Sequence, residues 1–242
     1  MTAGPGDYRG MSAAPDQRPP APPRLPPAAL RRPELEARRE GWLVRGRWSK
    51  ADLWTATLED GRRVVVKDFS GKPWLGRLLG RFQLRREQRA LGELLGITGV
   101  PALIGRLDDD GFAMERVEGT RLPQCSAAAR RRALGEFARI LAAAHAAGVV
   151  HNDLRGRENV LASPDGSRVA IIDWGGATFF PAGSWRRRLF FSMARRVDEG
   201  GLLKWKEQFA PDLLTERERA FLRRFRRWRR LWPFNRKGAG ST

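Results

Sequence analysis

Two neighbouring segments decide the fold of this chain: Val149-Val-His-Asn-Asp-Leu-Arg-Gly-Arg-Glu-Asn-Val-Leu161 and Ile171-Ile-Asp-Trp-Gly175. In the first, Asp153 and Asn159 lie between two apolar pairs, which indicates a polar loop held by short strands. In the second, Asp173 leaves an apolar strand just before a glycine turn. The spacing predicts that both loops face one cleft.

A lysine upstream closes a β-branched strand at Val64-Val-Val-Lys67. Burying its ammonium group is costly without a partner, and Glu87, in a helical segment twenty residues later, is a candidate. The segment 112–119 is a strand that runs into a glycine, and backbone groups at Glu115 and Val117 are candidates for binding an adenine. Together these segments supply what phosphoryl transfer needs: a cation, oxygen ligands for metal ions, and a carboxylate beside the accepting hydroxyl.

The rest of the pattern predicts strand pairs and one helix, followed by a helical region. Strands are predicted at 52–58, 63–69, 100–107, 111–117, 149–150 and 168–172, with helices at 78–95 and 126–147. This order predicts a five-stranded lobe followed by a helical lobe.

The set Val-Val-His-Asn-Asp-Leu, Asn-Val-Leu and Ile-Asp-Trp-Gly resembles the catalytic and metal-binding loops of the protein-kinase-like superfamily. The His-Asn-Asp-Leu form is most similar to bacterial lipopolysaccharide core kinases of the Kdo/WaaP type and to RIO-like serine/threonine kinases. The resemblance extends from about Trp42 to Lys206. It implies an α+β, two-lobed protein-kinase-like fold, with a small antiparallel-sheet N-lobe that carries one helix and a reduced helical C-lobe.

The resemblance also implies ATP and Mg2+ as cofactors and a role for each polar residue. Lys67 would hold the ATP phosphates, with Glu87 as its brace. Asp153 would orient the acceptor hydroxyl, and Arg155 matches a phosphate-contacting lysine of many kinases. The two metal ligands would be Asn159 and Asp173.

Three departures from the family pattern affect the expected function. The nucleotide-covering loop at 44–52 has only Gly46, so its phosphate contacts are expected from Gly46 and the backbone near Ser49. Asn152 replaces the arginine that reads a phosphorylated activation loop in many eukaryotic kinases, so phosphorylation switching is not expected. No long activation segment follows Gly175, which favours a sugar, lipid or other non-peptide acceptor.

Three functions therefore remain open at this point. The first is phosphorylation of lipopolysaccharide or another lipid-linked sugar at the cytoplasmic membrane face. The second is RIO-like phosphorylation of protein serine or threonine. The third is a non-catalytic pseudokinase that binds nucleotide or RNA, which the glycine-poor loop favours.

Charge and composition predict anionic partners. The chain carries 40 arginine and six lysine residues and a net charge of +19. Arginine makes bidentate phosphate contacts, although a GC-biased genome also enriches arginine. One cysteine, Cys125, fits a reducing compartment, and no apolar run approaches the roughly 20 residues that span a bilayer. We expect a cytoplasmic protein that can associate peripherally with the inner membrane.

Three regions are predicted along the chain. Residues 1–36 are expected to form a disordered, proline-rich tail. The kinase-like domain is expected at 37–210, with the N-lobe at about 37–118 and the C-lobe at about 119–210. Residues 211–242 are expected to form a basic amphipathic helix and tail.

The C-terminal helix begins with a predicted capping box, Thr215-Glu-Arg-Glu218. Four aromatic residues then follow on one face: Phe221, Phe225, Trp228 and Trp232. Arginines cover much of the remaining surface, a pattern typical of helices at anionic bilayers. Packing of the aromatic face on the core and binding of RNA remain as alternatives, with RNA ranked below the membrane.

Overall fold

The structure, a computed structural model, describes residues 28–154, 156 and 158–230. Within them the chain is a mixed α+β protein with mainly antiparallel sheets. The strands are β1 (Ala28–Ala29), β2 (Arg39–Val44), β3 (Asp52–Thr57), β4 (Arg63–Asp68), β5 (Leu103–Arg106), β6 (Gly111–Glu115), β7 (Thr120–Arg121), β8 (Val149–Val150), β9 (Val160–Ala162), β10 (Val169–Ile171) and β11 (Thr178–Phe179). The helices are α1 (Arg32–Ala37), α2 (Trp74–Glu93), α3 (Ala127–Ala146), α4 (Trp185–Phe209) and α5 (Glu216–Arg230).

The largest sheet has the order β1-β5-β6-β4-β3-β2. Alternation along β4 sends its side chains to opposite faces. Val64 and Val66 join an apolar cluster that includes Leu35 of α1, whereas Lys67 points to the other face, where it meets Glu87 of α2. The sheet therefore turns one lysine away from its α1 side and toward α2.

The predicted boundary of the N-terminal tail at residue 36 is wrong for its last residues. β1 pairs in parallel with β5, which makes a six-stranded sheet rather than the predicted five. α1 begins beside Pro33, a position where proline's missing N–H costs no helical hydrogen bond. Leu35 is buried, and Arg32 donates to Asp68 and Asp108. An apolar anchor and an ion pair therefore attach residues 28–37 to the sheet. Residues 1–27 of the predicted tail lie outside the described residues.

The second half of the described chain packs small sheets on long helices. β9 lies between β10 and β7, and β11 pairs with β8. The largest apolar core joins α2, α3 and α4 with these short strands. The polar loop 151–159 and the turn after β10 therefore emerge from one well-packed base.

Candidate active site

Three charged side chains that are distant in sequence meet at α2, which carries one of them. The Nζ atom of Lys67 lies 2.6 Å from Oε2 of Glu87 and 3.0 Å from Oδ1 of Asp173. Glu87 is fully buried, while the side chain of Asp173 is 54% exposed. The lysine thus has one partner in the core and one at the surface, as the sequence predicted for Glu87.

The charges of this cluster reinforce one another. Burial alone would lower the pKa of the Lys67 ammonium group, but the carboxylates of Glu87 and Asp173 outweigh it and raise that pKa. Burial would raise the pKa of Asp173, but Lys67 lowers it below its ordinary value. Burial raises the pKa of Glu87, and Lys67 opposes that rise. Lys67 and Asp173 are therefore charged at neutral pH.

The loop 151–159 presents Asp153 to solvent and holds Asn159 in place. The Nδ2 atom of Asn159 donates to the main-chain oxygen of Asp153 at 2.9 Å. The main-chain oxygen of Asn159 accepts from Ile172 N at 2.9 Å, so Asn159 lies beside the residue that precedes Asp173. The structure thus brings Asn159 next to the Asp173 turn, as predicted.

A glycine pair joins the two halves of the site. A Cβ atom at Gly175 would lie 3.3 to 3.6 Å from the charged atoms of the Lys67 cluster, and a Cβ at Gly176 would lie 3.8 Å from that of Asp153. Asp173 itself has a left-handed φ of 60°, which non-glycine residues rarely adopt but aspartate tolerates. The turn therefore runs closely between Asp153 and the Lys67 cluster.

A buried aspartate supports the loop from α4, and sequence reasoning missed it. Asp198 is fully buried and accepts from the backbone N–H groups of His151 and Asn152, each at 2.7 Å. Its Oδ2 atom also lies 3.1 Å from Nε2 of His145, which must donate because a carboxylate only accepts. Asn152 has a φ of 68°, and these bonds stabilise that left-handed conformation.

His151 links the two loops of the site through its ring. The ring of His151 is buried, its Nε2 faces the carbonyl of Ile172 at 3.1 Å, and its Nδ1 accepts from Asp153 N. Burial lowers the pKa of His151, so the neutral ring connects the two loops.

The segment after Asp173 is fixed by Asn152 and by Arg86, a side chain that the sequence did not single out. Arg86 of α2 donates to the carbonyl oxygens of Gly176 and Ala177. The Nδ2 atom of Asn152 donates to the carbonyl of Gly176 at 2.9 Å and to the Thr178 hydroxyl at 3.0 Å. Asn152 therefore holds the segment 176–178 with direct hydrogen bonds.

The loop 45–51, predicted to cover a nucleotide, is held by an ion pair. The carboxylate of Asp52 accepts from Gly46 N at 2.8 Å and pairs with Lys72 at 2.7 Å, and Lys72 also donates to the Gly46 carbonyl. Leu53 pairs with Lys67 across β3 and β4, so the loop, which runs into β3, lies at the end of the sheet that carries Lys67. The Gly46 amide is thus engaged within the chain, and Ser49 lies half-buried in the same loop.

The backbone at Glu115 and Val117, the candidate adenine-binding positions, is only partly available to a ligand. The N–H of Glu115 donates to Ala102 O at 2.8 Å, so Glu115 has its carbonyl to offer a ligand. Val117 follows the end of β6, and no hydrogen bond from its N–H to another described residue is formed. The two positions therefore offer one acceptor and one donor at the sheet edge.

The oxygen donors fit a magnesium ion that is shared with a bound ligand. Because Nδ2 of Asn159 donates to the main-chain oxygen of Asp153, its side-chain oxygen is left for a metal, and its backbone is bonded to Ile172, the residue before Asp173. Between residues 28 and 230, excluding the undescribed 155 and 157, no three His, Cys, Asp or Glu side chains form a metal cluster. Magnesium is commonly held by one or two carboxylates together with phosphates and water, and this donor set fits that pattern. Arg155, predicted as a phosphate contact, lies outside the described residues.

The C-terminal helix packs part of its aromatic face on α4. The capping box is confirmed, since Glu218 N donates to the Thr215 hydroxyl and Thr215 N to the Glu218 carboxylate. Phe225 is buried, and a Cβ at Gly200 would lie 2.5 Å from its ring. The core-packing alternative therefore holds for Phe225. The Trp228 side chain and Trp232 lie outside the described residues.

No helix in the described ranges is long and apolar enough to cross a membrane. No protein-family model matches this chain, and no curated protein matches it either.

Proposed function

We propose that this chain is a magnesium-dependent kinase with a two-lobed protein-kinase-like fold, which transfers the γ-phosphate of ATP to a hydroxyl group. The observation that carries the proposal is the Lys67 contact. It joins a strand lysine to Glu87, 20 residues away, and to Asp173, 106 residues away, in one polar cluster. A paired lysine beside an exposed carboxylate is what phosphate binding next to a metal ion requires.

Each polar residue of the site would have its own role in the transfer. ATP would supply the phosphoryl group, and Mg2+ would offset the charge on its oxygens. Lys67 offers a fixed cation because its two carboxylates hold the proton on the amine. Asp153 is exposed, and Nδ2 of Asn159 donates to its main-chain oxygen and, at 3.5 Å, to its Oδ2, so its Oδ1 is left to accept a hydrogen bond from a hydroxyl. Asn159 and Asp173 would supply the metal's protein ligands.

The acceptor we propose is lipopolysaccharide or another lipid-linked sugar at the cytoplasmic face of the inner membrane. The resemblance to lipopolysaccharide core kinases supports it, and so does the short connection of five residues between β11 and α4. The same short connection is compatible with a RIO-like serine/threonine protein kinase. The engaged Gly46 amide favours a third function, a non-catalytic nucleotide-binding protein, since this loop offers fewer free donors to phosphates.

The test is transfer of label from γ-labelled ATP, with Mg2+, to a membrane lipid extract and separately to generic protein substrates. We expect label in the lipid fraction and its loss in Lys67→Ala and in Asp173→Ala. Lys204→Ala and Asp212→Ala are matched controls, because both side chains lie outside the cluster. Turnover at the wild-type rate in either cluster variant would contradict the assignment, and label in protein alone would favour the RIO-like function.

A further inference from the structure

The first half of α2 carries an apolar face that no described residue covers. We call it the α2 outer face, and it consists of Trp74, Leu75, Leu78, Leu79 and Phe82. Each is between 43% and 75% exposed. At 100° per residue these five positions fall within about 140° of the helix circumference. They form one continuous stripe.

The opposite side of the same helix is firmly seated. Gly76 lies against the carbonyl of Trp48, and Gly80 lies against the ring of Phe69, so closely that a Cβ atom would overlap either neighbour. Further along, Leu84 and Glu87 are buried on that side. A surface helix normally presents polar residues outward. An apolar stripe on the outward side of a seated helix therefore indicates a further partner.

The charges beside the stripe identify the chemistry of that partner. Residues 74–86 contain four arginines and no acidic residue. Arg77 and Arg81 lie along the stripe and are held by Asp110, whereas Arg85 pairs with no described carboxylate. Tryptophan at the start of such a face is typical of helices that lie in a membrane interface.

We propose that the α2 outer face docks on an anionic lipid bilayer, with its apolar side chains among the acyl chains and Arg85, which pairs with no described carboxylate, at the headgroup phosphates. A second copy of the chain is a poorer fit. A twofold contact through this face would bring the α2 arginines of two copies together, in a chain whose net charge is +19. The inference deepens the proposed function, on which it rests for the acceptor, because a lipid-linked sugar lies in the same bilayer.

The start of α4 repeats the pattern independently. Four of its side chains are large, apolar and exposed: Trp185, Leu189, Phe190 and Met193. Three consecutive arginines, 186–188, lie among them, and the first acidic residue is Asp198. α2 contacts the turn 174–176 and β11, and α4 begins soon after β11. The two helices that carry these apolar faces therefore flank the segment that follows Asp173.

Co-sedimentation of the full chain with vesicles, without ATP, tests the proposal. We expect binding to phosphatidylcholine vesicles that contain phosphatidylglycerol, weak binding to phosphatidylcholine alone, and release as salt rises. The double variant Leu78→Glu, Phe82→Glu should bind at least about tenfold more weakly, since it places two carboxylates where apolar side chains enter the bilayer. Its melting temperature should stay at the wild-type value, because both side chains are exposed.

The comparison variant Leu189→Glu, Phe190→Glu makes the same change on the second apolar face, at the start of α4. Binding that falls less in this variant than in the α2 variant supports the assignment. Binding that is lost in the α4 variant but kept in the α2 variant overturns it. The proposal is also overturned if the wild type does not bind anionic vesicles and forms a dimer that the α2 variant converts to monomer.

Two further measurements test how deeply α2 enters the bilayer and whether vesicle binding is independent of phosphoryl transfer. Brominated lipid in the anionic vesicles should quench part of the tryptophan fluorescence, and Trp74→Phe should remove most of that quenched part. Unchanged quenching in Trp74→Phe contradicts insertion of α2. Asp173→Ala should bind vesicles like the wild type, so a chain that binds vesicles but transfers no phosphate fails the proposed function alone.

Discussion

Replacing Asp198 by asparagine should destabilise the chain strongly, although the two side chains have nearly the same shape. The carboxylate accepts two backbone N–H groups and His145. An amide oxygen can replace only one of the two carboxylate oxygens. In the better orientation Oδ1 becomes NH2, which leaves the Asn152 N–H buried and facing a donor.

The expected loss follows from these bonds. A buried donor without an acceptor costs about 1–3 kcal/mol, and each of the two remaining bonds weakens by about 1 kcal/mol when its acceptor loses its charge. The free energy of unfolding should therefore fall by about 3–5 kcal/mol. For a chain of this size the melting temperature should then drop by roughly 6–20 °C.

Thermal unfolding followed by circular dichroism measures this drop. Asp212→Asn is the matched control, since the same chemical change there removes an exposed ion pair with Arg131 and should shift the melting temperature little. Because Asp198 holds the backbone before Asp153, its loss should also reduce the rate of phosphoryl transfer more than the affinity for nucleotide. A melting temperature within about 2 °C of the wild type, with an unchanged rate, would refute this account of the α4 support.

Three further outcomes are expected. Protein treated with phosphatase should keep the rate of the proposed phosphoryl transfer, because Asn152 bonds Gly176 and Thr178 directly; a loss that returns on rephosphorylation would contradict this. His151 has a lowered pKa in the fold, so the unfolded chain binds the extra proton first as pH falls through the ordinary value of 6.5. Stability should therefore decline as pH falls below that value, and a melting temperature that rises on acidification would be the wrong sign. Phe225→Ala should lower the free energy of unfolding by about 3–5 kcal/mol by opening a cavity against Gly200. Chemical denaturation that shows no loss would contradict the packing of Phe225 on α4.

The sequence predicted the parts of the site that lie in short segments with a recognisable local pattern. Lys67 ends a β-branched strand and Asp173 precedes a glycine turn, so strand propensity and turn chemistry mark each position locally. Glu87 followed because a buried lysine needs a carboxylate, and α2 was the nearest helix. In each case a local pattern and one physical requirement were sufficient.

Asp198 could not be found in the same way. It lies in the arginine-rich stretch of α4, where a carboxylate is expected to pair with a neighbouring arginine at the surface. Its actual partners are backbone groups 46 and 47 residues earlier, which only the packing of α4 beneath the loop brings close. The attachment of α1 escaped prediction for a related reason: nine prolines in residues 1–33 mask one buried side chain, Leu35, whose burial depends on the far face of the sheet.

The pairing of Lys72 with Asp52 has a kinetic consequence. Ordering a flexible loop costs about 1–2 kcal/mol per residue in backbone entropy, and here residues 45–51 are ordered before any ligand arrives. A ligand beneath this loop gives up less freedom on binding, but it passes the loop only while the ion pair is broken. Entry and departure should then be slow together at nearly constant affinity.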